Sequence, residues 1–113
     1  MGKINSKVKG KVGESEFSHY LQSKGFTARR GVQYSGGTDS PDVICEELGM
    51  FHLEIKRTEK LQVYKAIEQA IHDCPKGKYR VVAHRQSRKD WLVILRADDF
   101  MEIIKDWLKF RAS

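Results

Sequence analysis

Apolar residues recur along this chain in two rhythms, one near 3.6 residues and one of two. The first predicts a helix over 12–24, with Val12, Phe17, Tyr20 and Leu21 on one stripe and Gly25 as its stop. It returns over 61–73, where Leu61, Tyr64, Ile67, Ala70 and Ile71 form the side expected to be buried, and Pro75 and Gly77 end the run. It appears again over 98–110, through Phe100, Ile103, Ile104, Trp107 and Leu108, with Asp98 or Asp99 as the expected N-cap. Alternation and short apolar runs predict strands over 26–34, 42–47, 51–57, 79–84 and 91–95. Between them lie a turn-rich loop, SGGTDSP at 35–41, and a basic one, RQSRKD at 85–90. The strand-helix-strand unit across 51–84 favours a parallel crossover. The short link Leu48-Gly49-Met50 favours an antiparallel hairpin between 42–47 and 51–57. Together these give an α/β fold of order α-β-β-β-α-β-β-α, a mixed sheet flanked by helices.

Side chains alternate along a strand, so Phe51, Leu53 and Ile55 point one way and His52, Glu54 and Lys56 the other. Val43 and Cys45 are the natural core partners in the preceding strand. The expected register is then 43 opposite 55, 45 opposite 53 and 47 opposite 51, and a one-residue slip would turn the apolar set outward. On the polar face this register sets Asp42 beside Lys56 and Glu46 beside His52. It makes Asp42 a diagonal neighbour of Glu54, roughly 6–7 Å away between Cα atoms. Two carboxylates near a lysine suit a hard cation such as Mg²⁺, and the lysine can orient a water or offset charge on a phosphate. The same residues also read as solvent-exposed Asp–Lys and Glu–His pairs. Glu-x-Lys alone decides nothing, since 8 glutamates and 13 lysines in 113 residues produce about one such triplet by chance.

Composition narrows the classes. A chain of 113 residues with 40% hydrophobic content is expected to be one domain with a modest core. Its net charge of +6 points toward nucleic acid as a partner. Lys3, Lys7, Lys9 and Lys11 make residues 1–11 a basic arm, expected to be frayed. Cys45 and Cys74 show no zinc spacing and read as reduced thiols. No apolar run approaches the ~18 residues of a membrane span, so a cytoplasmic protein without a membrane partner is expected. No Walker-type loop is present, and ATP dependence is not expected.

Pro41-Asp42 followed by Glu54-Ile55-Lys56 resembles the PD-(D/E)-x-K nuclease signature. GESEFSHYLQSKGFTARR, residues 13–30, is similar to the opening of archaeal-type Holliday junction resolvases and related phage endonucleases. HLEIKRTEKLQVYKAIEQA, residues 52–70, looks like the phage branch, in which the catalytic strand runs into a helix carrying a glutamine. The resemblance covers most of residues 10–95 and implies a restriction-endonuclease-like fold. It implies Glu14, Asp42, Glu54 and Lys56 as the catalytic set. Asp42, Glu54 and the backbone carbonyl of Ile55 would hold Mg²⁺ or Mn²⁺, with Glu14 in an outer shell or at a second metal, and Lys56 would position the attacking water. Gln69 would flank the site or touch DNA. Glu16 is read as solvent-facing, and Asp39 as a loop residue rather than a substitute ligand.

The implied reaction is metal-dependent hydrolysis of a DNA phosphodiester, with branched or duplex DNA as substrate and phage recombination, packaging or host-DNA degradation as compatible settings. Arg29, Arg30, Arg57, Lys60, Arg85, Arg88 and Lys89 are candidate phosphate contacts; such contacts carry affinity rather than sequence information. Cutting both strands of a junction needs two sites, hence a homodimer. The apolar last helix could supply its interface, though capping the sheet is the preferred expectation. A non-catalytic nucleic-acid-binding module with the same fold stays open as the alternative, and a small RNA-binding protein is disfavoured because Phe51 and Trp91 sit in apolar runs.

Overall fold

A computed structural model describes residues 6–31 and 42–112. The loop predicted at 35–41, the end of the first strand, Lys3 and Asp39 lie outside the described residues. The elements are α1 (Ser6–Ser23), β1 (Ala28–Arg30), β2 (Val43–Cys45), a 3₁₀ turn (Glu46–Leu48), β3 (Phe51–Arg57), α2 (Val63–Asp73), β4 (Tyr79–Arg85), β5 (Leu92–Ile94) and α3 (Ala97–Ala112). The order is the one the sequence predicts. Residues 6–11 belong to α1 rather than to a frayed arm. Gly25, at φ +92°, ends α1 by allowing Phe26 N–H to reach back to the Leu21 carbonyl.

The crossover is parallel as expected: β3 pairs with β4 from Phe51↔Tyr79 to Arg57↔Arg85, and β5 adds antiparallel to β4. The hairpin is not formed. β2 pairs instead with β1, antiparallel, with Ala28 opposite Cys45 and Arg30 opposite Val43. Glu46–Leu48 coil into a 3₁₀ turn, which consumes the end of the predicted strand and turns the chain away from a tight hairpin. Asp42, just before β2, reaches β3 through its side chain: Asp42 Oδ2 accepts from the Ile55 N–H at 2.8 Å.

The core lies on both faces of β3–β4–β5. On the α1 side Phe17 and Leu21 pack with Val43, Cys45, Leu53, Ile55, Val81 and Ala83. On the other side Ala66 and Ala70 of α2 meet Val82, joined by Leu61, Ile67 and Ile94. The sequence pattern misassigns two residues here, since Tyr64 is 84% and Ile71 39% exposed. The small alanines let α2 lie close to the sheet, and that contact turns Tyr64 outward. His52 and Glu54 are therefore buried, not on a solvent face. Parallel strands covered on both faces bury both sets of side chains.

α3 starts at Ala97, so Asp98 and Asp99 occupy its first turn rather than its N-cap. Asp99 is buried 3.9 Å from Arg80. The helix does not cap the sheet: Phe100, Met101, Trp107 and Leu108 are each about half exposed.

Glu16 is not solvent-facing. Its Oε2 accepts hydrogen bonds from Arg57 Nε at 3.0 Å and Arg85 Nη1 at 3.1 Å, which clamps α1 to the ends of β3 and β4. Removing it takes a shared carboxylate partner from two half-buried guanidiniums. Glu16→Ala is expected to cost about 1–2 kcal/mol, measured by urea unfolding, whereas Glu16→Asp loses less.

Candidate active site

The site gathers at the edge of β3 that faces β2. Glu54 and Lys56 come from β3, Asp42 from the residue before β2, and Glu14 from α1. Three parts of the chain thus contribute, and the backbone of Ile55 is held among them by the Asp42 bond. Glu54 is buried, while Asp42, Glu14 and Lys56 are partly accessible.

Electrostatics tie the acids together. Burial, followed by the charge of Glu54, pushes the Asp42 carboxyl up to about 7, although the Ile55 N–H pulls the other way. Glu14 is raised as well, chiefly by burial, with Arg30 opposing. Arg30 Nε lies 3.3 Å from Glu14 Oε2 and holds that side chain at the site. Among the described residues no three His, Cys, Asp or Glu side chains converge as a metal-binding group. The donor chemistry nevertheless fits a hard divalent ion. The candidate donors are carboxylate oxygens and a strand carbonyl, and the part of the rise at Asp42 that comes from the charge of Glu54 is one a cation would relieve.

Lys56 Nζ donates to Gln69 Oε1 at 2.7 Å, so α2 fixes the end of the lysine. This places Gln69 beside Lys56, a contact the sequence did not predict. His52 does not pair with Glu46, which is exposed in the 3₁₀ turn. Its Nε2 sits 3.6 Å from Glu54 Oε2, is buried, and has no closer partner among the described residues. Of the candidate phosphate contacts, Arg30, Arg57 and Arg85 are engaged by Glu14 and Glu16. Arg29, Lys60, Arg88 and Lys89 are exposed, Arg88 at a positive φ of 63° in the β4–β5 turn.

Sequence reasoning missed Gly13. A Cβ built there would meet Arg57 Cβ at 2.6 Å and Ile55 Cγ2 at 3.6 Å. The absent side chain lets α1 lie directly on β3, one residue before Glu14. A glycine inside a helical pattern was the available signal. Glu16 carried no comparable signal, because its two partners are 41 and 69 residues away.

An α/β domain with an acid-x-lysine strand, a preceding aspartate and a helix glutamate at one strand edge has the frame of a nuclease. Residues 5–103 match the family described as archaeal Holliday junction resolvase (Hjc), and the chain belongs to that family. Membership supports nuclease activity in general. Among solved structures, the Archaeoglobus fulgidus Hjc, described as a Holliday junction resolvase from an archaeal hyperthermophile, is similar in fold. It is 22% identical, the match covers 77% of this chain and 72% of that one, and the TM-score is 0.56. No curated protein matches the chain. No helix among the described residues is long and apolar enough to cross a membrane.

Proposed function

We propose that this chain is a Mg²⁺- or Mn²⁺-dependent endonuclease that cleaves branched DNA, acting inside the cell as a homodimer with one site per copy. The observation that carries the reading is Asp42, bonded to the Ile55 N–H and sensing the charges of Glu54 and Glu14, with Lys56 held by Gln69. Asp42, Glu54 and the Ile55 carbonyl would hold the ion, with Glu14 bound through water. When bound, the ion supplies Lewis-acid polarisation of the scissile phosphate and a more acidic water. The chain's own groups do the rest. Lys56 offsets charge developing on the phosphate and orients the water, and Gln69 keeps its ammonium in reach. Asp42 must give up its proton for the ion to bind. Exposed Arg29, Lys60, Arg88 and Lys89 bind the DNA backbone without reading its sequence.

The lack of a converged three-acid group among the described residues favours a second reading, a binding module that does not cut. One experiment separates them. A four-way junction, a duplex and single strands are incubated with the protein in Mg²⁺ and in EDTA. The junction is cut in Mg²⁺ only, and Lys56→Ala lowers the single-turnover rate by about 10²–10³-fold while still binding the junction. Cleavage that survives EDTA, or persists in Lys56→Ala, sinks the mechanism. Binding without cleavage selects the module.

A further inference from the structure

An open groove of about 770 Å³ lies between α1 and the β4–β5 turn, and none of the candidate catalytic side chains lines it. Its walls mix rings with cations. Tyr20 and Trp91 supply the rings, and Lys24, Arg85 and Lys89 the cations. A second hollow, of about 320 Å³, shares Glu16 and His19 with the first and extends it to Lys11 and Val12. The two make one channel along a flank of α1. From Lys11 to the end of α1 at Ser23 the helix rises roughly 18 Å.

The walls are fixed to each other. Arg85 Nη1 donates to Glu16 on α1, and Arg85 Nε donates to the Lys89 carbonyl at 2.7 Å in the turn. One guanidinium thus sets the spacing of helix and turn. The rings are fixed as well. Phe17 is buried, stacks on Tyr20 with centroids 5.7 Å apart, and meets Trp91 at 4.8 Å. Tyr20 keeps 38% of its surface exposed, and Lys24 Nζ lies 5.5 Å from its ring centroid.

The charge of the channel is positive. Of its two acids, Glu16 is neutralised by Arg57 and Arg85, which leaves Asp90 against the exposed Lys11, Lys24 and Lys89. Cations along a groove with rings between them suit a strand whose bases are unpaired. Phosphates meet the ammonium groups, and base faces meet the rings. A duplex keeps its base faces stacked inside and offers Tyr20 and Trp91 nothing to stack on.

We propose that this channel holds an unpaired DNA strand, with a base stacked at Tyr20 and Trp91 and phosphates on Lys11, Lys24 and Lys89. The proposal rests on the reading of the chain as a nuclease for branched DNA, and it narrows the substrate. The preferred branch point carries an unpaired strand, as a flap or a splayed arm does, rather than being paired throughout. The channel is joined to the candidate active site through shared elements. Glu16 follows Glu14 by two residues on α1, and its partner Arg57 follows Lys56 on β3.

Binding is read in EDTA, without cleavage. The chain has two tryptophans, so in a Trp107→Phe background the remaining indole is Trp91. An oligothymidylate of about ten nucleotides should quench its fluorescence. Tyr20→Leu and Lys24→Glu, both at exposed positions, should keep the far-UV circular dichroism of the wild type. Each should weaken the oligomer by about tenfold and leave blunt-duplex binding unchanged. Lys24→Glu should also weaken a flapped duplex more than a blunt one. No quenching, or equal losses on oligomer and blunt duplex, overturns the channel. Tighter binding of an oligouridylate of the same length overturns its assignment to DNA. A protein that cuts a four-way junction in Mg²⁺ but binds no oligomer loses the channel and keeps the nuclease reading. One that binds the oligomer through Tyr20 and Lys24 but cuts nothing keeps the channel and loses the nuclease reading.

Discussion

Asp42→Asn makes the metal-free protein more stable above pH 7 while lowering cleavage by at least ~10³-fold. The two effects share a cause. In the folded chain the Asp42 carboxyl is raised from 3.8 to about 7 by burial and by the charge of Glu54. Between those values the folded state binds the proton and the unfolded state has released it. The stability this represents is fully present below pH 3.8 and is lost as pH rises through about 7. Three pKa units correspond to ~4 kcal/mol, and partial solvent access reduces this to the order of 3 kcal/mol. Asparagine keeps an acceptor for the Ile55 N–H and carries no charge, so the pH slope flattens. Thermal melts from pH 5 to 9 should show the variant higher by roughly 5–10 °C at pH 8 without metal. Mg²⁺ then stabilises the wild type more than the variant, since ligand binding stabilises only the state that binds it. Equal melting points at pH 8, or parallel pH slopes, would falsify the account.

Gly13→Ala carries the second large effect. On helix propensity alone it should stabilise α1 by about 1 kcal/mol. The new Cβ, however, would lie 2.6 Å from Arg57 Cβ, an atom too near the backbone to swing away. Either α1 lifts or β3 shifts, at a cost of about 1–3 kcal/mol, so the net change in stability is small or negative. Activity is the sharper readout. Glu14 follows Gly13 on the same helix, and a displacement near 1 Å at a catalytic group costs about 10²-fold. The variant should therefore melt at or below the wild type yet cut slowly, while binding DNA normally. A Gly13→Ala protein with a higher melting point and full activity would show that the close approach does not matter.

The order of elements and the parallel crossover were legible in the sequence, as were the acids of the candidate site, because each rests on local signals. Alternation in β3, the Gly25 stop and the Glu54-Ile55-Lys56 triplet can all be read within a few residues. The pairing of β2 was not. Leu48-Gly49-Met50 is short enough for a hairpin, but Glu46–Leu48 coil, and β1 offers Ala28 as an apolar partner to Cys45. Asp42 still reaches β3, through its carboxylate and the Ile55 N–H rather than through a ladder. The buried side of α2 was misread for a related reason: periodicity counts Tyr64 and Ile71 as apolar, whereas contact with Val82 selects the smaller Ala66 and Ala70. Long-range partners leave no local trace, which is why Glu16 looked like a surface residue.

The continuous run from β3 through α2 to β4 has a consequence for how activity can be lost. Glu54, Lys56 and Gln69 lie within one contiguous segment, 51–85, whose contacts are close in sequence. Glu14 and Asp42 are carried by separate pieces, docked through Gly13, Glu16, the bond to Ile55 and the apolar contacts of Phe17, Leu21, Val43 and Cys45 with the sheet. The candidate centre thus draws on two pieces of the chain, and local opening is expected to reach the α1–β1–β2 piece first. Opening of the α1–β1–β2 piece alone would disassemble the acids while leaving the lysine and its glutamine in their native geometry. Amide exchange in 51–85 would then outlast exchange in 11–31, and the chain would lose its chemistry well before it lost its fold.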